Sequence, residues 1–114
     1  MVVDQISDED VDRLFHALAD ATRRDIVRRV IDREHSISDL AGSYPMSMAA
    51  VQKHVRVLED AGLVTKTRRG REQRVLCRVE ALRRAQDLLG AYEQLWRDRF
   101  DRIGEVLAGP TRET

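Results

Sequence analysis

The fold of this 114-residue chain is decided by the stretch MSMAAVQKHVRVLEDAGLV, residues 46–64. Apolar side chains recur in it every three or four positions, which is the spacing of one buried helix face. They are Met48, Val51, Val55 and Leu58. The opposite face is short-chained, polar and basic, and it carries no acid. It comprises Ala49, Gln52, Lys53 and Arg56. The stretch therefore predicts a helix that rests on a core and presents its other side to a negatively charged partner.

A shorter helix is expected immediately upstream, with Ser36 or Ser38 as its N-cap. Pro45 disfavours helical geometry in the residue before it, and so separates this helix from the next. Ser47 can cap the longer helix, which we expect to stop at Gly62 because glycine suits the left-handed position after a helix. Two helices joined by a tight turn predict a helix-turn-helix.

The flanking segments complete the secondary structure. Apolar periodicity predicts helices over residues 8–18 and about 20–32, the second of which buries Ile31 with its neighbours. Alternating residues up to Val79, around a turn at Gly70, predict a β-hairpin. A long helix is expected from Glu80 to about Leu107. The expected fold class is mainly α with a small β-hairpin, a winged helix-turn-helix followed by a long C-terminal dimerisation helix.

Positive charge is concentrated in the middle of a neutral chain. Residues 47–79 hold eight basic and three acidic side chains, a net of +5, and the remainder carries −5. A segment with this charge attracts polyanions. Aromatic residues make up only 4%, which argues against a stacking platform for single-stranded nucleic acid. Double-stranded DNA is therefore the expected partner.

The helix-turn-helix and the hairpin supply the candidate DNA contacts. Gln52 can pair with adenine and Lys53 with guanine or phosphate, while the free amides at the helix start can hold a phosphate. Arginines around the hairpin turn can reach phosphates or the narrow minor groove. The predicted DNA-binding residues are Ser47, Ala49, Gln52, Lys53, Arg56, Arg68, Arg69 and Arg71. An ordinary solvated face is the alternative for the helix taken alone.

Taken together, ALADATRRDIVRRV at residues 17–30 and SISDLAGSYPMSMAAVQKHVRVLEDAGLVTKTRRGREQRV at 36–75 resemble the ArsR/SmtB family of winged helix-turn-helix repressors. Ala21, Gln52 and Val55 replace a proline, a serine and a leucine of the family's motifs. The resemblance implies a homodimer that binds an operator and blocks transcription, often of its own operon. It also implies that His54 contacts DNA, with packing at the helix edge as the alternative.

Two apolar stripes are too wide for the core of one small domain. They are Val11, Leu14, Phe15 and Leu18 in the first helix, and Leu89, Tyr92, Trp96, Phe100 and Ile103 in the last. Apolar surface of this extent marks an interface, and its simplest partner is the same pair of helices in a second chain. We therefore expect a homodimer, the alternative being that Trp96 closes the core of a monomer. The domain prediction is a single domain, 1–114, with dimerisation helices at 1–19 and 80–108, the helix-turn-helix at 36–61 and the β-wing at 63–79.

Metals, cofactors and catalysis are not indicated. Metal-sensing members of the family carry cysteine pairs before the recognition helix, or a His and acid cluster on the last helix. Here the short helix holds no thiol, the last helix holds no histidine, and His16, His35 and His54 fall in different elements. Cys77 is expected as a small apolar residue of the second strand, with an oxidation switch as the alternative. No phosphate loop or nucleophile–base signature suggests an enzyme.

The expected function is that of a cytoplasmic, homodimeric DNA-binding repressor that does not respond to metals. A single cysteine fits a reducing compartment, and neither a membrane-spanning run nor an export signal is evident. Two alternatives stay open. One is a winged-helix protein–protein interaction module, which would be expected to lack a basic recognition face. The other is a regulator with an organic ligand in a cavity at the dimer interface.

Overall fold

The computed structural model describes residues 7–108, which form five helices and three strands. In chain order these are α1 (Asp8–Leu18), α2 (Ala21–Asp32), β1 (His35–Ser36), α3 (Ile37–Ala41), α4 (Met48–Asp60), β2 (Val64–Arg69), β3 (Glu72–Cys77) and α5 (Val79–Ala108). The predicted winged helix-turn-helix with a long last helix is confirmed. The outer ends of the predicted domain, residues 1–6 and 109–114, lie outside the described residues.

Four helices begin at a side-chain cap. Ser7, Asp20, Ser36 and Ser47 each accept a hydrogen bond from the backbone N–H three residues on, at 3.0–3.1 Å. Each cap satisfies one N–H group that a helix start leaves free. Helix α4 ends as predicted, because Gly62 adopts a φ of 78°, in the left-handed region that favours glycine.

A single hydrophobic core lies beneath α4. Its Val51, Val55 and Leu58 are fully buried, and apolar side chains from the other four helices and the two long strands surround them. Helix α5 contributes two buried residues, Ala81 and Ala85, and the half-buried Leu82, all from its first two turns. The core therefore fixes one whole face of α4 and only the start of α5.

The three strands form an antiparallel sheet in the order β1-β3-β2. Strands β2 and β3 pair from Val64 opposite Cys77 to Arg69 opposite Glu72. The two-residue turn between them contains Gly70, whose φ of 64° suits the tight turn of a hairpin. Strand β1, which was not predicted, is two residues long and is therefore too short to show alternation.

Four apolar residues lie elsewhere than predicted. Ile31 and Met48 are 58% and 45% exposed rather than buried, because each occupies a terminal turn of its helix, past the edge of the core. Leu14, predicted to face a partner, is only 2% exposed and fills the protomer's own core. Val79 begins α5 instead of ending the alternating strand.

The turn before α4 is braced against α2 by a carboxylate. Asp25 accepts hydrogen bonds from the Tyr44 hydroxyl at 2.6 Å and from Arg29 Nε at 2.8 Å, and Arg28 also donates to it. The Arg29 guanidinium lies 5.3 Å from the centre of the Tyr44 ring. These bonds, with the one from Tyr44 the largest contributor, hold the pKa of the Asp25 carboxyl well below its usual range. Burial, followed by the bond to Asp25, raises the pKa of Tyr44 to about 12.

Replacing Tyr44 with Phe should lower the free energy of unfolding by about 1 kcal/mol, because the hydrogen bond to a partly exposed carboxylate is removed. The folded-state pKa of Asp25 lies below its unfolded value of 3.8, so this stabilisation is present above that value and disappears as the pH falls. Urea unfolding should therefore show the full deficit for Tyr44→Phe at about pH 7, where Asp25 is ionised in both the folded and the unfolded protein. The absence of any deficit at about pH 7 would contradict this hydrogen bond.

Candidate nucleic-acid interface

Helix α4 presents an exposed face with no acidic side chain opposite its buried one. Ala49, Gln52, Lys53 and Arg56 are all exposed, as the sequence predicts for a face that meets a partner. The Ser47 hydroxyl accepts from the Ala50 N–H at 3.1 Å, so it caps the helix at the edge of the same face. The helix start, with its partial positive charge, therefore lies next to a polar and basic surface.

A cleft of about 390 Å³ separates α4 from the wing, the hairpin formed by β2 and β3. From α4 it is lined by Met48, Gln52 and Arg56; from the wing by Lys66, Arg71, Glu72 and Gln73; and from the start of α3 by Ser36, Ile37 and Ser38. Three cations, two amides and one carboxylate thus surround one opening. A backbone phosphate or the edge of a base would meet hydrogen-bond donors from two elements at once.

The wing arginines do not all face the same way. Residues paired directly across a hairpin share a face, so Lys66 and Arg68 lie on the face of Val64, opposite Val75 and Gln73. Arg71, in the turn, lines the cleft.

Arg69 lies on the other face of the sheet, where Glu34 engages it at 3.6 Å. The Glu34 carboxylate also accepts from Arg74 Nε at 3.1 Å. Arg68 and Arg71 are therefore better placed than Arg69 for a contact on the α4 side.

His54 is half-buried at the edge of the exposed face, and its Nδ1 lies 3.4 Å from Nη1 of Arg23 in α2. The ring therefore packs against a neighbouring helix and still borders the surface formed by α4. The structure therefore supports the packing interpretation, and the contact of His54 with DNA stays a prediction.

The structure adds three side chains to the predicted set. Lys66, Gln73 and Ser38 line the cleft, although none was predicted from the sequence to contact DNA. The amine of Lys66 is also 3.4 Å from the Glu59 carboxylate, which offsets part of its charge. Only the hairpin register and the position of α3 bring these residues beside α4, and neither can be read from local spacing.

The apolar face of α5 has no partner within the protomer's described residues. Ala81 and Ala85 are buried, and the same helical stripe continues without cover through Leu89, Tyr92, Trp96, Phe100, Ile103 and Leu107, which are between 42% and 81% exposed. Leu95 and Val106, which the prediction omitted, widen it. Within the stripe, Trp96 and Phe100 form an edge-to-face pair with ring centroids 5.0 Å apart.

The part of the predicted interface that α1 contributes is less exposed than the part that α5 contributes. Val11, Phe15 and Leu18 are half-buried, and Phe15 and Leu18 pack against the core. With Leu14 removed from the set, the exposed apolar surface is mainly that of α5.

Cys77 does not have the environment of a reactive thiol. It is half-buried, and burial, together with the nearby Glu80 carboxylate, raises its pKa and disfavours the thiolate. Across residues 7–108, no three His, Cys, Asp or Glu side chains come together as metal ligands. In the same range, no helix has both the length and the apolarity needed to cross a membrane.

Comparison with known proteins decides the family. Residues 18–67 match a helix-turn-helix domain family. The chain is 38% identical over 79 residues to the uncharacterized HTH-type transcriptional regulator YuzN of Bacillus subtilis, a match that covers 63% of this chain and 86% of YuzN. It is also similar to a solved ArsR-like transcriptional regulator from Rhodococcus sp. RHA1, with a TM-score of 0.76, 30% identity, and coverage of 86% of this chain and 92% of that one. This chain belongs to the ArsR-like winged helix-turn-helix transcriptional regulators.

Two further comparisons concern parts of this ArsR-like regulator. The HTH-type transcriptional regulator Rv2034 of Mycobacterium tuberculosis is 45% identical over 53 residues, which cover 46% of this chain and about half (50%) of that relative. The homodimeric winged helix-turn-helix DNA-binding domain Mb0332 of Mycobacterium bovis has a TM-score of 0.62 at 23% identity, and covers 82% of this chain and 91% of that one. At this identity the likeness shows the fold alone.

Substitution of Arg71 with Ala should flatten the dependence of log affinity on log salt by about 0.9 for each phosphate that is no longer neutralised. Arg69→Ala should change the slope less, because Glu34 already engages that guanidinium. Fluorescence anisotropy on one DNA duplex at several salt concentrations measures both slopes. A slope for Arg71→Ala equal to that of the wild type would show that the wing turn does not contact DNA phosphates.

Proposed function

We propose that this regulator binds an inverted-repeat operator as a homodimer, represses transcription, and needs no metal to do so. The observation that carries the proposal is the exposed face of α4, which combines small residues, an amide and two cations beside a basic wing. Small side chains such as Ala49 allow the helix to approach base edges closely, and Gln52 and Lys53 offer the donors that adenine and guanine accept.

Dimerisation is supported by the unpartnered stripe on α5. From residue 89 onward the helix runs for about 30 Å, at 1.5 Å per residue, with every side chain exposed. The described shape is correspondingly elongated, 71 × 34 × 23 Å. The homodimeric state named for Mb0332, whose fold is similar, is consistent with the same arrangement here. We expect large central aromatic residues, Trp96 and Tyr92, to carry most of the interface energy.

A dimer with two recognition helices specifies the form of its DNA site. The half-sites should form an imperfect inverted repeat, separated by about 34–36 Å or a multiple of it, because the two helices must enter successive major grooves. A protein held across such a site blocks access to a promoter that overlaps it.

Metal independence is consistent with the scattered histidines and with the raised pKa of Cys77. A footprint on the DNA upstream of its own gene, followed by transcription of that template with and without the protein, tests the proposal.

Replacing Gln52 and Lys53 together with Ala should weaken specific binding by about 1–3 kcal/mol for each base that is no longer recognised, and leave folding intact. Both side chains are exposed, so neither supports the core. Exposed Arg83, at the start of α5, provides a control, since Arg83→Ala removes a cation from a different helix. Unchanged affinity of the double variant for the footprinted site would show that this face of α4 is not the recognition surface.

Replacing both Tyr92 and Trp96 with Lys should give monomers that keep the winged helix fold but bind DNA only weakly and without sequence preference. Charges at the centre of an apolar interface give up their hydration without finding partners. Sedimentation velocity at micromolar concentration measures the association. Gln94→Lys is a control, because Gln94 projects from the opposite side of α5. The dimer proposal is wrong if the wild-type chain sediments as a monomer while still binding its operator tightly.

A further inference from the structure

The side chain of Arg23 joins three helices. Its Nε donates to the Ala17 carbonyl at 2.8 Å and its Nη2 to the His16 carbonyl at 2.9 Å, both at the C-terminal end of α1. The remaining arm, Nη1, lies 3.4 Å from Nδ1 of His54 in α4. The guanidinium of Arg23, in α2, thus caps the C-terminal end of α1 and contacts α4.

The contact favours one tautomer of neutral His54 over the other. Arginine remains protonated and only donates hydrogen bonds, so the atom that Nη1 faces must accept. Nδ1 of the neutral imidazole is therefore unprotonated, and its single proton resides on Nε2. Because Nε2 is the ring nitrogen farther from the backbone, the outer part of the side chain becomes a hydrogen-bond donor.

The position of this donor is set by the backbone of α1. Two carbonyl groups hold the planar guanidinium of Arg23 in place. The guanidinium in turn orients the imidazole of His54, which lies next to Lys53 at the edge of the exposed face. The acceptor atoms of DNA, namely phosphate oxygens and O6 and N7 of guanine, are the complementary groups.

We propose that Arg23 is a positioning residue for DNA recognition, which holds His54 so that its Nε2–H donates to an acceptor atom of the operator. The inference rests on the proposed function, since it requires the α4 face to meet DNA. Arg23 itself need not touch the nucleic acid. Its contribution to affinity passes through His54.

The neighbouring Arg24 provides a matched control. It also caps α1, since its Nη1 donates to the Leu18 carbonyl at 2.8 Å, but its guanidinium is not the one that reaches His54. A purely structural role in ending α1 would be shared by both arginines. A positioning role belongs to Arg23 alone.

The test is a double-mutant cycle on operator affinity, with Arg23→Gln, His54→Ala, the two combined, and Arg24→Gln. Arg23→Gln and His54→Ala should each weaken operator binding about 10-fold. In the His54→Ala background, Arg23→Gln should weaken operator binding by less than about 2-fold more. Arg24→Gln should stay within about 2-fold of the wild type. Losses that multiply to about 100-fold in the combined variant, or no loss in Arg23→Gln, would overturn the inference. If Arg23→Gln does not fold, Arg23→Lys replaces it in the same cycle, because it keeps the charge and removes the fork.

Nitrogen-15 NMR of the histidine side chains in the free protein tests the geometry without DNA. The Nδ1 resonance of His54 should have the shift of an unprotonated, hydrogen-bonded nitrogen in the wild type, should move in Arg23→Gln, and should stay in place in Arg24→Gln. A His54 spectrum that is unaltered by Arg23→Gln overturns the inference. A wild-type protein with no preference for any operator overturns the proposed function itself, whereas multiplicative losses in a protein that does bind its operator overturn only the role of Arg23.

Discussion

The rest of the structure depends on the burial of one face of α4. Val51, Val55 and Leu58 have no exposed surface, so the helix can neither rotate nor slide without moving apolar groups into water. The exposed face is thereby fixed in direction, together with the polar side chains that it carries. The Asp25–Tyr44 brace holds the turn that leads into this helix, and Gly62 ends it where β2 must begin.

Most of the secondary structure could be predicted, because its signals are local. Ser36, Ser47 and Gly62 mark helix ends through their own backbone and side-chain chemistry, and each occupies the predicted role. The errors arise where position in the fold overrides periodicity. Met48 continues the buried spacing of α4 in sequence, but the core ends before the first turn of the helix, so its side chain lines the cleft instead. Leu14 was assigned to a partner because a sequence alone does not show how much apolar surface one core can cover.

The candidate site was harder to predict than the fold, because charge summed along a sequence ignores the pairing of charges in space. Arg69 contributes to the positive middle segment, yet the sheet register places it against Glu34, which lies outside that segment. Lys66 meets Glu59 in a similar ion pair. Conversely, nothing in the spacing of Arg23 and His54 indicates their contact, which exists only because α1, α2 and α4 converge at one point.

Through the uncovered stripe of α5, the proposed dimerisation would make DNA binding depend on the concentration of the regulator. In the proposed homodimer, a dilute protomer would leave this apolar surface in water, so association and operator binding would draw on the same free energy. Where dimers dissociate at cellular concentrations, operator occupancy rises with the square of the protomer concentration. A repressor of its own gene would then respond steeply to small changes in its amount, and the part of α5 from residue 89 onward, which is exposed in the protomer, would set the concentration at which this response occurs.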